Sequence, residues 1–260
     1  MADSRLLRDE DYHTHFDSDA YVKKYYTVFD DTIDGGLIPF ILKCQHDVYK
    51  SGTVKGKRLL DIGTGPVPHS VIPAVPFVQD IYLTDFSTAN RKYLYDALFG
   101  SGEQEYSSIF KFLTNLSDKS QPWTKLSDDL KNKICGIFPC DLLQDDIFKG
   151  SYFPLFDVIT ASLCVDSVSP DVETYGKIAK KISKYLKIGG HLVIVGVLDV
   201  TYYFAGEQKF FTLDISADEV KSCWKGAGFS IQSWNHMKGP EESENSDFGG
   251  AFVMHCIKES

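Results

Sequence analysis

Along the 260-residue chain the apolar positions gather into short continuous runs, separated by stretches with helical spacing. The runs lie at Arg58–Ile62, Ile81–Thr84, Ile134–Phe138, Phe156–Ala161 and Leu192–Val197, and they are rich in β-branched residues. Strands of that kind are covered on both faces, as in parallel sheets. Helical periodicity falls between them. One helix is predicted over Thr88–Phe99 behind Ser87, and another over Val172–Leu186, with Pro170 inside its start and Lys187-Ile188-Gly189-Gly190 at its end. A third, Ala217–Gly226, opens with the capping box Ser216-x-x-Glu219. The first fifty residues are helical as well: Tyr21, Val22, Tyr25 and Tyr26 share a face, and a second helix is predicted from Thr32 to Tyr49, stopped at Gly52.

Strand–helix alternation predicts a doubly wound sheet that binds ligands beyond the carboxyl ends of its strands. The tail differs. Phe229–Trp234 and Gly250–Ile257 have only a polar loop between them, so they are expected to pair antiparallel. The fold class is therefore α/β, a Rossmann-like class I methyltransferase fold with a seven-stranded, mostly parallel sheet and an antiparallel C-terminal hairpin. Residues 1–260 are expected to form one domain, with 1–52 a helical lid and 53–260 the core.

Composition narrows the partners. A net charge of −9 argues against a nucleic-acid or anionic-membrane surface, and no apolar run reaches transmembrane length. "MADSRLLRDEDYHTHF" has no signal-peptide core, and the six cysteines are scattered without a C-x-x-C pair, as in a reducing, cytoplasmic compartment. His13-Thr14-His15 lacks the further ligands a metal needs, so no metal is expected, and the chain is expected to act as a monomer on a small molecule. The 13% aromatic share fits a packed core or an aromatic-lined pocket.

The chemistry begins at Leu59–Ser70, "LLDIGTGPVPHS". A dinucleotide site requires a third glycine opening a helix, where the pyrophosphate sits on the N-terminus. Here Pro66 and Pro68 follow Gly63-Thr64-Gly65, and Asp61 precedes them. A carboxylate beside a bared turn repels a pyrophosphate but tolerates the ammonium of S-adenosylmethionine. Asp85 ends the second strand, placed to accept both hydroxyls of a ribose, and Asp141 follows the third strand, placed to meet an adenine amino group.

The segments "YHTHFDSDAYVKKYY", "LLDIGTGPVPHS", "YLTDFSTANR", "FPCDLL", "SLCVDSVSPDVETY", "KIGGHLVIVGVL" and "YYFAGEQKF" together resemble the nicotinamide, phenylethanolamine and indolethylamine N-methyltransferase family, in order from Tyr12 to Ile257. The resemblance implies S-adenosyl-L-methionine as cofactor. It implies lid tyrosines Tyr12, Tyr21 and Tyr26; donor contacts from Gly63, Thr64, Gly65, Asp85, Asn90, Asp141, Leu142 and Ser162; and a further contact at His69, where the family commonly has Tyr. On the acceptor side it implies Asp166 and Tyr21 as catalytic residues and Tyr203 against the acceptor ring. Nicotinamide-methylating members carry a carboxylate at the position of Gly196. Phenylethanolamine members carry a further acid in the next segment, where this chain has Asp199. The expected reaction is methyl transfer to the nitrogen of a small aromatic amine or a pyridine, an arylalkylamine being preferred. The alternatives are nicotinamide methylation, a NAD-dependent oxidoreductase that Pro66 opposes, and a donor-binding protein without turnover, with which Gly196 and His69 are compatible.

Overall fold

The computed structural model describes residues 6–27, 29, 36–100, 106–117, 121–240 and 247–260. In chain order these carry α1 (Tyr12–His15), α2 (Ser18–Tyr26), α3 (Leu37–Lys50), β1 (Arg58–Ile62), β2 (Asp80–Asp85), α4 (Thr88–Phe99), α5 (Ser107–Leu116), α6 (Trp123–Lys133) and β3 (Ile134–Pro139). The second half carries β4 (Phe156–Ser162), α7 (Val165–Val168), α8 (Val172–Ser183), β5 (Leu186–Leu198), β6 (Tyr202–Ala205), β7 (Gln208–Phe211), α9 (Ala217–Gly226), β8 (Phe229–Lys238) and β9 (Gly250–Lys258).

The main sheet has the order β3-β2-β1-β4-β5-β9-β8. The first five strands in the chain pair in parallel, and β9 runs antiparallel to both β5 and β8. The expected hairpin is thus present, and its two strands are longer than the runs that predicted them. Part of its connecting loop, residues 241–246, lies outside the described residues, as do residues 32–35 of the helix expected from Thr32.

Continuous apolar strands are explained by the two cores. Leu59, Leu83, Val158, Val193 and Val253 face α3 to α6, whereas Leu60, Ile62, Ile159, Leu192 and Ile194 face α8 and α9. Alternate residues of one strand enter different cores, so neither face is left for water.

Two local expectations need correcting. The helix ending in Lys187-Ile188-Gly189-Gly190 stops at Ser183, and those four residues form an irregularity inside β5, where Leu186 pairs with Phe156 before the register shifts to Val158–His191. Asp171 caps that helix by accepting from Thr174 N at 2.7 Å, which leaves Pro170 outside it. Outside the main sheet, Tyr202–Ala205 and Gln208–Phe211 form a separate two-stranded sheet. Leu7 adds to its edge: Leu7 N donates to Lys209 O (2.9 Å) and Phe211 N to Leu7 O (2.8 Å). Arg8 lies 4.0 Å over the Phe211 ring, and Tyr25 OH donates to Phe204 O at 3.0 Å. The segment leading into α1, and α2 itself, are thereby tied to the β6–β7 hairpin.

Candidate active site

Beyond the carboxyl ends of β1, β2 and β4 lies a cavity of about 890 Å³. Gly63 and Gly65 at its floor have φ of 68° and 67°, a conformation in which a side chain is strained. The two glycines serve different purposes. A Cβ on Gly63 would run into the Cys164 side chain, while a Cβ on Gly65 would meet nothing within 4 Å and would project into open space. Bare backbone at Gly65 therefore lets a ligand come close. The turn is held by Asp85, whose Oδ2 accepts from Gly65 N at 2.8 Å and whose Oδ1 accepts from Ser87 N at 2.8 Å and Asn90 Nδ2 at 3.3 Å. Ser18 Oγ on α2 donates to Asn90 Oδ1 at 2.8 Å, which links the N-terminal helices to this network. Burial pushes the Asp85 carboxyl up, opposed by those hydrogen bonds.

His69 finds a structural place in the same wall. It is buried, its Nδ1 lies 3.3 Å from Val67 O, and its Nε2 lies 2.9 Å from Ser162 Oγ. A carbonyl only accepts, so Nδ1 carries the proton in this arrangement. Desolvation lowers the ring's pKa to about 4, so the imidazole is neutral and Nε2 accepts from Ser162. The Ser162 hydroxyl proton is thus engaged by His69, which leaves the Ser162 oxygen as an acceptor in the cavity wall. Asp61 sits differently from expectation. It is fully buried and not part of the cavity wall, with Oδ2 accepting from Ser70 Oγ at 2.8 Å and Oδ1 without a hydrogen-bond partner, and its carboxyl is pushed up to about 7 by desolvation.

A second cavity, of about 540 Å³, adjoins the first and shares Tyr21, Leu163, Ser167 and Tyr203 with it. Leu163, directly after β4, has φ of 54°, an uncommon value for a branched residue and a strained feature where the two cavities meet. The second cavity is lined by Tyr25, Leu37, Ile38, Val197, Val200 and Phe248, with Asp166 as its carboxylate. Asp166 is 3% exposed, and its Oδ2 accepts from Val197 N (3.4 Å) and Thr212 Oγ1 (3.5 Å). These are long bonds. Desolvation dominates and raises its pKa to about 6. In the cavity wall the Tyr12 and Tyr203 hydroxyls hydrogen-bond to each other, and the Tyr21 ring lies 6.4 Å from Tyr203 and 5.9 Å from Tyr26.

The residues singled out from sequence fall into two groups. Tyr12, Tyr21, Tyr26, Gly63, Thr64, Gly65, His69, Asp85, Asn90, Asp141, Leu142, Ser162 and Tyr203 all line the first cavity, and Tyr21, Asp166 and Tyr203 line the second. Gly196 and Asp199 line neither, which corrects their expected acceptor contacts. At Gly196 a Cβ would lie 2.7 Å from the Phe252 ring, its partner across β5 and β9, so that ring already fills the space. Asp199 is exposed at the turn after β5, where its carbonyl accepts from Gly249 N at 3.1 Å, and the next residue, Val200, enters the cavity instead. Sequence reasoning passed over Leu37, Ile38, Val200, Thr212 and Phe248. As ordinary apolar or small polar residues they carry no chemical signature, and only the fold brings them together.

Comparison with known proteins gives the same picture. The profile of the NNMT/PNMT/TEMT family matches residues 4–259. Human nicotinamide N-methyltransferase is 28% identical over 258 residues, covering 98% of each chain. Phenylethanolamine N-methyltransferase of Macaca mulatta is 28% identical over 225 residues, 85% of this chain and 80% of that protein. Rabbit (Oryctolagus cuniculus) indolethylamine N-methyltransferase is 27% identical over 86% of each chain. Among solved structures, magnesium protoporphyrin IX methyltransferase from Synechocystis PCC 6803 with bound S-adenosylhomocysteine superposes with a TM-score of 0.59 at 11% identity, over 96% of this chain and 97% of that one, a likeness of fold. With nearly its whole length matched, the chain belongs to the NNMT/PNMT/TEMT family and is an S-adenosylmethionine-dependent N-methyltransferase.

Proposed function

We propose that the acceptor is a small aromatic amine, an arylalkylamine in preference to nicotinamide, bound in the second cavity with its nitrogen toward Asp166 and the shared wall. The observation that carries this is a buried carboxylate in a mostly apolar and aromatic cavity that adjoins the donor cavity. An isolated buried carboxylate is unfavourable, and a substrate cation relieves it. Tyr21, Tyr25 and Tyr203 offer ring faces for the same cation.

The residues of the first cavity fit the methyl donor. Gly65 leaves room for close approach, Asp85 is the acid for the ribose, Asp141 and Leu142 flank the adenine, and the Ser162 lone pair suits the methionine ammonium. When bound, S-adenosylmethionine supplies an electrophilic methyl group on a sulfonium. The protein's part is alignment, removal of water and transfer of a proton. Asp166 takes the proton that the ammonium must lose before its lone pair can attack, and a pKa near 6 makes it a better acceptor than an ordinary carboxylate. Tyr12, Tyr21, Tyr26 and Tyr203 act as a lid in this reading, within one domain of which 1–52 is the lid segment. We further propose that the protein works as a monomer in the cytoplasm. Six free thiols and the absence, among the described residues, of any helix long and apolar enough to cross a membrane support that placement.

Methyl transfer from labelled donor to nicotinamide, quinoline, tryptamine, phenylethanolamine and histamine tests the acceptor class, with tryptamine or phenylethanolamine expected to lead. Asp166→Ala is expected to slow transfer to protonated amines far more than to quinoline. Equal losses on both would remove the ammonium role.

A further inference from the structure

We propose that Lys181, on α8 and outside both cavities, is a positioning residue that sets Asp141 for recognition of the donor's adenine amino group. This rests on the assignment of Asp141 to the adenine under Proposed function. Lys181 Nζ donates to three successive main-chain carbonyls, Leu142 O at 3.2 Å, Leu143 O at 3.2 Å and Gln144 O at 2.8 Å. An ammonium has three protons, and here each has a carbonyl. These carbonyls belong to the turn whose first two residues, Asp141 and Leu142, line the donor cavity.

Peptide geometry carries the effect inward. A trans peptide is planar with its C=O and N–H opposed, so a Leu142 carbonyl held toward α8 turns the Leu143 N–H the other way. That N–H donates to Asp141 Oδ1 at 3.2 Å. Lys181 and the Asp141 carboxylate thus hold opposite ends of one peptide dipole, and the cation polarises the N–H into a stronger donor. The Asp141 main chain is fixed independently, its N–H donating to Ile147 O at 2.8 Å and its carbonyl accepting from Gln144 N at 3.2 Å. With Oδ1 engaged, Oδ2 is the oxygen left to face a ligand, and the Lys149 ammonium lies 4.0 Å from it. The simpler reading, that Lys181 only staples α8 to the loop, predicts weaker binding of every ligand alike. Positioning of Asp141 instead predicts a loss confined to recognition of the base.

The test is calorimetric titration of the full chain with S-adenosylhomocysteine and with S-inosylhomocysteine, which carries a carbonyl where adenine has its amino group. The wild type is expected to prefer the adenosyl ligand by about tenfold or more. Asp141→Ala is expected to abolish that preference. Lys181→Met, which keeps the aliphatic stem, is expected to reduce it to about threefold or less, and Lys181→Arg to keep most of it. Should the Met variant not fold, Lys181→Gln, whose amide reaches one carbonyl, is read in the same way. An unchanged preference in Lys181→Met or Lys181→Gln, whatever happens to the two affinities, overturns the role of Lys181. If the wild type shows no preference, or Asp141→Ala retains it, the adenine assignment itself is wrong and the role of Lys181 falls with it.

Discussion

Replacing Asp166 by Asn separates what this carboxylate does for stability from what it does for the reaction. Its folded pKa stands at about 6 against an ordinary 3.8, with desolvation as the main cause. The folded protein therefore binds the proton more tightly than the unfolded chain does. Stability from this group is fully present below pH 3.8 and is lost as pH rises through about 6. The whole span corresponds to about 3 kcal/mol, of which roughly 1.4 kcal/mol falls between pH 5 and pH 8. Asn does not titrate, so Asp166→Asn is expected to gain about 1.4 kcal/mol on the wild type between those two pH values. For a chain of this length that is a relative shift in Tm of about 2–3 °C. An amide's own fit beside Val197 N and Thr212 Oγ1 adds a constant at both pH values and cancels in the comparison. Asp61, pushed up to about 7, titrates alike in both proteins and cancels too. Thermal melts of both proteins at pH 5 and pH 8 make the measurement. A Tm difference between variant and wild type that is the same at both pH values would refute a desolvated Asp166.

The donor site is open to simpler tests. Asp85→Ala is expected to raise the Kd for S-adenosylhomocysteine by about thirtyfold, or 2 kcal/mol, through loss of charge-assisted hydrogen bonds, and unchanged affinity by calorimetry would remove it from the ribose. The two turn glycines are expected to fail differently. Gly65→Ala should lower stability by only about 1–2 kcal/mol, from backbone strain, while weakening donor binding at least tenfold. Gly63→Ala should lower Tm further because its methyl meets the Cys164 thiol, with partial recovery on adding Cys164→Ala. Equal melting losses for the two glycine variants, with no rescue, would contradict their distinct surroundings.

The sheet was readable from sequence because β1, β2, β4 and the second half of β5 are largely buried on both faces and so appear as apolar runs, whereas β3, at the sheet edge, is only partly buried. Arg58–Ile62 agrees to the residue. Less was readable where an element lacks that constraint. Ser107–Leu116 buries only Ile109, Phe110 and Leu113, a pattern too sparse to separate helix from strand, and Trp123–Lys133 buries only Leu130. The donor cavity was legible for a chemical reason, since its glycines and carboxylates sit at strand ends where the fold class places ligands. The acceptor cavity was not. Leu37 and Phe248 are far apart in sequence, and their meeting depends on tertiary packing. Gly196 was misassigned because neighbouring positions on a strand point to opposite faces, and Asp199 because it lies past the end of β5, where a φ of 51° turns the chain. Val197 and Val200 enter the cavity where the flanking residues do not.

The position of β9 has a consequence for the order of assembly. It follows every other strand along the chain yet lies between β5 and β8, pairing with both over its length. Until it is made, β5 presents an open edge, and β8 has no neighbour in the main sheet. A newly synthesised chain thus passes through a stage with two unjoined pieces and an apolar edge exposed, the kind of intermediate on which chaperones act and from which aggregates grow. Substitutions in Ala251–Cys256, all buried, would accordingly lower the yield of folded protein during synthesis, before any change appears in the turnover of the molecules that do fold.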